Sequence, residues 1–526
     1  MKLQFKLTLL FLLVVLTVFA QKKAIESITE NELRTHLEFI ASDLMQGRDF
    51  DTEIPGLEIS ANYLKSQITQ MGLDPGDNNY FQEFKMISVK ADPKNTFIEL
   101  QNKSGNTVYE NDSIFAYVGT DENEILEGEL VFAGYGWTDS VKGYDDVESL
   151  DIKNKLVLIM TRNYELAKDT TQEFGIDIYL ESSKIELLLT KGAKGILMVQ
   201  DPINPDHETM GWIKDNLSKG ICMLEGEKRP AMPGKVITIT SSIADNLLKS
   251  KGKTLRELQE LINKTEKPHS FGIEDYKVNL TFGKVSKSIS GKNVIGIIEG
   301  SNPVLKNECI VFTAHYDHLG INDNGEVFNG ADDNGTGTAA LLEIAEAFQS
   351  MKKKPKRSIV FAWVAAEEKG LIGSDYYSQH PVIPLENTLL DINLDMVGRS
   401  AETEPAKDAE MSNQLAGSDG IYIVSGKQST ELMGISDDVC KELGLLPSDE
   451  LTKAFLTRSD YYHFYKNGVP ILGLSTGMHD DYHKTTDELD KIDYTKMKRV
   501  AQYGFLVAHK VANQKKRIVV DKPVAK

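Results

Sequence analysis

The sequence predicts an α/β protein in which a three-layer core with a mostly parallel central sheet and helices on both faces is interrupted by an inserted α+β domain. Its length of 526 residues allows more than one domain and a large core. From Val278 onward, short apolar runs alternate with helical patterns, which is typical of a parallel sheet. Between about residues 115 and 275 the strand and helix patterns carry few acidic or histidine clusters, which indicates a separate module.

The N-terminal segment, residues 1–20, has the pattern of a secretory signal peptide. Lys2 and Lys6 precede an apolar run, and Val18 and Ala20 place small residues at positions −3 and −1. We therefore expect cleavage before Gln21 and export to the periplasm or the medium. The apolar run is shorter than the roughly 20 residues of a membrane span, so we expect no stable membrane insertion.

The charge balance excludes some partners. Removing residues 1–20 takes away two lysines and no acid, which lowers the formal charge from −19 to −21. This argues against nucleic acid or an anionic membrane as the main partner and leaves the oligomeric state open. Cys222, Cys309 and Cys440 are too few for a disulfide framework, and Cys309 opens an apolar run that predicts a buried thiol.

The core is expected in two parts. Residues 21–114 begin it with two helices, of which the first has Leu33, Leu37, Ile40 and Leu44 near helical spacing. Residues 115–275 form the inserted domain, residues 276–514 carry the remainder of the core, and residues 515–526 form a flexible basic tail.

Four apolar runs between Ile310 and Arg399 end in acidic or histidine residues. These are His315 and Asp317 after the first run, Asp332 and Asp333 in the glycine-rich turn before a helix, Glu367 and Glu368 after the third run, and Asp395 after the fourth. Metal-ligand side chains repeated at strand ends are hard to explain as packing. They predict a metal-dependent hydrolase.

Two of these clusters also have simpler interpretations. His315 and Asp317 share a strand face, so Asp317 can accept the histidine N–H and fix its tautomer. The alternative is a hydrogen-bonded core histidine. A carboxylate of the Asp332-Asp333 pair can bridge two divalent ions, but an Asp-Asn-Gly sequence is often only a turn.

The glutamate pair favours a metal most directly. Adjacent carboxylates such as Glu367 and Glu368 repel one another unless cations offset them, so one can bind a metal while the other acts as general base. A solvated acidic turn is the alternative.

Two further positions stay open on the residues alone. Asp391 competes with Asp395 on one strand face, and His479 competes with His483 in the segment HDDYHKTTDELDKID. Histidine, aspartate and glutamate together suit zinc, with manganese or cobalt as alternatives.

Five motifs together resemble the M28 family of zinc peptidases, which includes secreted bacterial aminopeptidases and, in a carboxypeptidase branch, glutamate carboxypeptidase. They are HYDHLG, GADDNGTG, AAEEKGLIGS, LDMVGR and YHKTTDELDKID. The inserted segments FAGYGWTD and KGAKGILMVQD resemble a protease-associated (PA) domain.

This resemblance implies a peptidase with two zinc ions per chain that acts on peptide substrates as an aminopeptidase. The implied ligands are Asp332 as the bridge before a cis peptide bond, His315 and Asp395 on one ion, and Glu368 and His483 on the other. Glu367 is the implied general base, Asp317 the carboxylate behind the first histidine, and Tyr482 a hydroxyl that steadies the oxyanion.

Three other functions remain as alternatives. A carboxypeptidase or dipeptidase of the same fold would need a basic pocket, for which Arg458 is the one arginine near the last motifs. A glutaminyl cyclase would hold a single zinc ion. A receptor-like PA-domain binding protein would have lost its ligands.

Overall fold

The structure, a computed structural model, describes residues 21–522 apart from 51, 93, 104, 111–113, 117–123, 169–176, 207–210, 212–219, 228–234, 323 and 403–413. The predicted signal peptide, residues 1–20, lies outside the described residues. The chain separates into two compact units. The core unit comprises Met1–Met86 with Ile289–Lys526, and the insert unit comprises Ile87–Ser288.

The secondary structure is named here in chain order. The helices are α1 (Glu30–Ile40), α2 (Gly56–Met71), α3 (Ile178–Thr190), α4 (Ser241–Leu248), α5 (Leu255–Thr265), α6 (Gly337–Ser350), α7 (Ile372–Gln379), α8 (Thr430–Leu443), α9 (Thr452–Phe455), α10 (Tyr461–Lys466) and α11 (Tyr494–Ala512). The strands are β1 (Asp74–Pro75), β2 (Phe81–Ala91), β3 (Phe97–Asn102), β4 (Gly105–Glu110), β5 (Ile114–Ala116), β6 (Glu124–Phe132), β7 (Thr138–Asp139), β8 (Tyr144–Asp145), β9 (Leu156–Met160), β10 (Gly195–Val199), β11 (Ile221–Leu224), β12 (Val236–Ile239), β13 (Phe271–Phe282), β14 (Lys284–Ile298), β15 (Cys309–His315), β16 (Ser358–Val364), β17 (Thr388–Leu394), β18 (Gly420–Val424), β19 (Leu446–Ser448) and β20 (Ile471–Ser475).

The core unit is built on a mixed sheet with a parallel centre. Within the core unit the strand order is β2-β14-β16-β15-β17-β20-β18-β19, and the two-residue β1 pairs antiparallel with β14. β15 runs parallel to both β16 and β17, and β17 runs parallel to β20, whereas β14 and β18 pair antiparallel with their inner neighbours. The carboxyl ends of β15, β16, β17 and β20 therefore open at one edge, which is where parallel sheets place ligands.

Both faces of this sheet are covered by helices. On one face, Phe312 of β15 stacks on Phe361 of β16 at 5.4 Å, and Phe348 of α6 packs on Phe505 of α11 at 4.4 Å. On the other face, side chains of β15 and β16 share a buried cluster with α7 and α10. Successive strand residues point to opposite faces, so runs buried on both sides read as continuously apolar. The predicted three-layer core is confirmed.

The N-terminal helices support this core, with one difference from the prediction. Leu33, Leu37 and Ile40 of α1 are buried, but Leu44 is 67% exposed. The helix ends at Ile40, so the spacing that suggested a fourth buried position no longer applies. α2 ends at Met71, and the left-handed φ of 80° at Gly72 stops the helix there, as predicted.

The insert unit is larger than the predicted range of 115–275. Its sheet has the order β4-β3-β13-β6-β9-β10-β12-β5, with β6, β9, β10 and β12 parallel. β3 and β4, which were expected within the first part of the core, pair with one another, and β3 also pairs with β13. The unit therefore spans 87–288 and is mixed α and β. Its likeness to a PA domain stays a prediction.

Two smaller predictions have outcomes in the core unit. Cys309 is fully buried, as expected. The tail expected to be flexible packs in its described part, because Ile518 is buried and the Lys522 N–H donates to the Gln428 carbonyl. Among the described residues, no helix has the length and apolar character needed to cross a bilayer.

His509 makes stability of the core unit pH-dependent. It stacks on Phe505 in α11, and burial, with Lys510 nearby, lowers its pKa to about 4. The unfolded chain, with a histidine pKa near 6.5, then binds the proton more tightly, so stability falls as the pH drops from about 6.5 to 4. The loss is at most about 3 kcal/mol. We expect the His509→Gln variant to show a shallower decline of Tm over this range in thermal unfolding. An unchanged slope would contradict this assignment.

Candidate active site

The predicted site residues meet at the carboxyl edge of the parallel strands. His315 is the last residue of β15, Glu367 and Glu368 follow β16, and Asp395 follows β17. The chain after β20 returns to the same edge with His483. Ligand-type side chains from four strand ends thus lie within one small region.

The first group of side chains centres on His315. Its Nε2 lies 3.3 Å from Asp333 Oδ1 and 3.4 Å from Asp395 Oδ1. The Ser459 hydroxyl donates to the other Asp395 oxygen at 2.7 Å, which fixes that carboxylate.

The second group centres on Glu368. His483 Nε2 lies 3.2 Å from Glu368 Oε2 and 3.2 Å from Asp333 Oδ2. His318 Nδ1 lies 2.8 Å from Glu368 Oε1 and 3.8 Å from Asp333 Oδ2. Asp333 therefore directs one carboxylate oxygen to each group.

The spacing of these atoms fits zinc. Ligand atoms about 2.0–2.1 Å from a tetrahedral zinc ion lie about 3.3–3.4 Å from one another. The observed distances match this ligand-to-ligand separation. His315 lies 3.3 and 3.4 Å from Asp333 and Asp395, and His483 lies 3.2 Å from both Asp333 and Glu368. The His318–Glu368 distance of 2.8 Å is that of a hydrogen bond. His318 is thus better placed to hold Glu368 from behind than to bind a metal itself.

Asp332 does not occupy the bridging position, so that prediction is wrong. Its Oδ1 accepts the Gly398 N–H at 2.8 Å and the Thr336 hydroxyl at 3.0 Å, and its Oδ2 lies 3.2 Å from His479 Nε2. The residue between the two groups is its neighbour Asp333, and the cis peptide bond is Asp333–Asn334, one residue later than expected.

Asp317 also differs from its predicted place. Its carboxylate accepts the backbone N–H groups of Glu367 and Glu368 at 3.1 and 3.3 Å. His315 Nδ1 lies 3.2 Å from the backbone carbonyl of Asp317 and 3.8 Å from the carboxylate. Asp317 therefore positions the glutamate pair, and the carbonyl orients the histidine.

The structure decides which residue of each competing pair faces the site. Asp391 is fully buried within β17, where it accepts the Thr313 hydroxyl at 3.1 Å, so Asp395 is the aspartate of this run that faces the site. His479 pairs with Asp332, which leaves His483 as the histidine beside Glu368.

Sequence reasoning missed Asp487, which holds the loop that carries Asp333. Its Oδ2 accepts the backbone N–H groups of Asp332 and Asp333, both at 3.0 Å. The signal was present, because Asp487 lies in the motif YHKTTDELDKID four residues after His483.

The segment that carries these site residues matches a known protein family. Residues 293–507 match the model of peptidase family M28. This part of the chain belongs to the M28 family.

Several proteins similar to this chain are named as aminopeptidases. Aminopeptidase YwaD of Bacillus subtilis (strain 168) is 30% identical over 246 residues, which are 45% of this chain and 48% of the relative. Leucine aminopeptidase 2 of Trichophyton equinum is 29% identical over 273 residues, 50% of each chain. The chain therefore spans about half the length of the curated relatives it matches. An aminopeptidase from Aneurinibacillus sp. strain AM-1 has the same fold, with a TM-score of 0.56 at 18% identity over 95% of this chain and 98% of that chain.

The electrostatics of the M28 site are those of a buried acidic cluster with histidines around it. Burial disfavours ionisation of Asp333 and Glu368, but the histidines beside them outweigh it and hold both pKa values well below the ordinary range. Glu367 differs, because burial and the neighbouring carboxylates outweigh His315 and raise its pKa well above 4.5. The adjacent glutamates are thus chemically distinct, as an acid–base residue and a ligand would be.

A pocket opens beside the first group. His315, Asp333, Glu367 and Asp395 form its polar part, together with Tyr482 and Arg458. Apolar side chains of Met396, Val424, Phe455, Leu474 and Met478 form much of the remainder. A single apolar side chain next to a reacting bond would suit this lining.

A pair of isosteric variants tests the corrected bridging residue. We expect Asp333→Asn to lose most of its bound divalent metal, since the variant replaces one of the two carboxylate oxygens with an amide nitrogen and removes the negative charge that both groups share. We expect Asp332→Asn to keep metal with an affinity lowered by about 10–100-fold at most, as for a supporting hydrogen-bond partner. Metal content after dialysis, read by elemental analysis, distinguishes them. Loss of metal in the Asp332 variant alone would restore the original prediction.

Proposed function

We propose that this protein is a zinc-dependent M28 exopeptidase that removes an apolar N-terminal residue from peptides. The observation that carries the proposal is Asp333, whose two oxygens each face a separate ligand group beside the chemically distinct Glu367. The fit of the donor distances supports zinc. His315, Asp333 and Asp395 would hold one ion, and Asp333, Glu368 and His483 the other. When bound, the ions supply Lewis-acid polarisation and a water nucleophile at neutral pH.

Glu367 has the features of a general base. It lines the pocket with the ligand groups, and the Asp317 carboxylate holds its backbone N–H. The pKa of Glu367 is raised towards neutral pH. A base with such a pKa can accept a proton from the attacking water and return it to the leaving amine.

Tyr482 is placed to donate to developing negative charge. Its ring stacks on His483 at 3.8 Å and lines the pocket. Burial and the nearby carboxylates raise its pKa well above 10, so the phenol stays protonated and can serve as a hydrogen-bond donor to an oxyanion.

The alternatives differ in what the pocket would need. Both ligand groups are complete, which argues against a single-zinc cyclase and against a receptor without ligands. A carboxypeptidase or dipeptidase remains the second candidate because exposed Arg458 lines the pocket and could meet a substrate carboxylate. The apolar lining favours the aminopeptidase. Export through residues 1–20 and a PA-like role for the insert unit remain part of this proposal.

Substrate chemistry tests the proposal. We expect the zinc-loaded protein to cleave leucyl-p-nitroanilide and unblocked peptides, to leave N-acetylated analogues intact, and to lose activity with a chelator and regain it with zinc. We expect Glu367→Gln to keep its metal while the turnover falls by about 10²–10⁴-fold, the usual contribution of a general base.

Two controls keep this test specific. The Glu386→Gln variant changes an acid outside the site and should match the wild type. Release of C-terminal residues from N-acetylated peptides would replace the aminopeptidase with the second candidate, and near-normal turnover in the Glu367 variant would contradict its assignment as the base.

The pocket lining predicts side-chain preference. The Phe455→Ala variant removes one apolar wall, so we expect kcat/KM for leucyl and phenylalanyl substrates to fall by about 10-fold, with a smaller change for alanyl substrates. Steady-state kinetics on the three substrates measure this ratio. An equal loss on all three would show that the wall does not contact the substrate side chain.

A further inference from the structure

We propose that Arg48 is a positioning residue of the metal centre, which sets the distance between the end of β15 and the loop that carries Asp333. This rests on the proposed function. Arg48 lies in the N-terminal part of the core unit, outside the residues that match the family model.

The guanidinium group of Arg48 is 1% exposed and donates to backbone carbonyls of three segments. Its Nε donates to Tyr316 at 2.9 Å, its Nη1 to Asn329 at 2.6 Å and Ile40 at 3.0 Å, and its Nη2 to Gly330 at 3.0 Å and Asp333 at 3.5 Å. An arginine has five N–H donors in a fixed plane, and all five are directed to carbonyls here.

These acceptors lie directly beside the ligand residues. Tyr316 follows His315, and Asn329 and Gly330 lead into the loop with Asp333. One rigid planar group therefore joins the backbones on which two ligands of the first group stand. Lysine could not reproduce this, because its ammonium is a point donor on a flexible stem.

The backbone around Arg48 is itself fixed to the same strand end. The Arg48 carbonyl accepts the His318 N–H at 3.2 Å, and the Gly47 carbonyl accepts the Gly320 N–H at 3.1 Å. Gly47 has a left-handed φ of 68°, and a Cβ there would lie 2.2 Å from the Gly320 carbonyl oxygen. The segment thus approaches too closely for any side chain at position 47.

The charge of Arg48 gives a way to separate positioning from electrostatics. A cation below the site repels divalent metal, so removing its charge alone would tighten metal binding. Removing a positioning group would weaken binding, since the ligands lose their spacing. The two explanations therefore predict opposite changes in zinc affinity for an uncharged variant of similar size.

The test compares Arg48→Met and Arg48→Lys with the matched control Arg357→Met. Arg357, which directly precedes β16, is equally buried in the core unit, but it donates to the Glu308 carboxylate and the Gln514 carbonyl, away from the ligand groups. Zinc dissociation constants come from chelator competition, and the ligand geometry from the visible spectrum of the cobalt-substituted proteins. Circular dichroism confirms that each variant is folded at the temperature used.

We expect both Arg48 variants to bind zinc about 10–100-fold more weakly and to show altered cobalt spectra. We expect the Arg357 variant to lose thermal stability while it keeps the wild-type zinc affinity and spectrum. Unchanged or tighter zinc binding in Arg48→Met would overturn the proposal. So would an equal loss of affinity in the control, or failure of both Arg48 variants to fold while the control folds, because general structural support would then suffice.

The zinc measurements need no substrate, so the two proposals can fail separately. A wild-type protein that binds zinc but cleaves no peptide would contradict the proposed function alone. An active wild type with unchanged zinc affinity in Arg48→Met would contradict the role of Arg48 alone.

Discussion

The placement of the Asp333 carboxylate is the constraint on which the rest of the site depends. Each of its oxygens lies near a different histidine, His315 on one side and His483 on the other. A buried carboxylate is costly unless it is paired, and here both oxygens are. The loop around it is held from two directions, because Asp487 accepts its N–H groups and Arg48 donates to its carbonyls. The conformation of this loop therefore determines the ligand geometry, and both depend on residues far apart in the sequence.

The sequence predicted which strand ends meet but not which side chain of a pair turns inward. His315, Glu368, Asp395 and His483 lie together as expected, because parallel strands share one carboxyl edge. Asp332 and Asp333 are adjacent in an irregular turn, where no period of two or 3.6 residues assigns a direction. Only the tertiary partners distinguish them: Gly398 and Thr336 hold the first carboxylate away from the site.

The predictions of the domain boundary and of the end of α1 were wrong for a related reason. β3 and β4 look like strands of the first part of the core, but β3 pairs with β13, which lies more than 150 residues later, and pairing across that separation leaves no local pattern. Leu44 continues the apolar spacing of α1, yet the backbone leaves the helix at Ile40 and forms the tight segment that brings Arg48 below the site. The helix propensity of the sequence predicts that α1 forms, but the close packing of the following backbone segment determines the residue at which it ends.

The high density of carboxylates explains why so many hydrogen bonds hold the backbone and side chains of this small site. Asp317 and Asp460 are buried near the ligands, and Glu367 beside them is partly buried. Desolvation together with neighbouring carboxylates raises all three pKa values, to about 7 for Asp317 and about 6 for Asp460. Carboxylates at this density repel one another unless cations or protons offset them. Protons and the Arg48 cation offset part of this repulsion, and divalent ions bound here would replace the protons, so metal binding and deprotonation would be linked. The same acidity that makes the site costly to assemble would make it a strong ligand for cations, provided that the hydrogen bonds to the backbone hold the carboxylates in place.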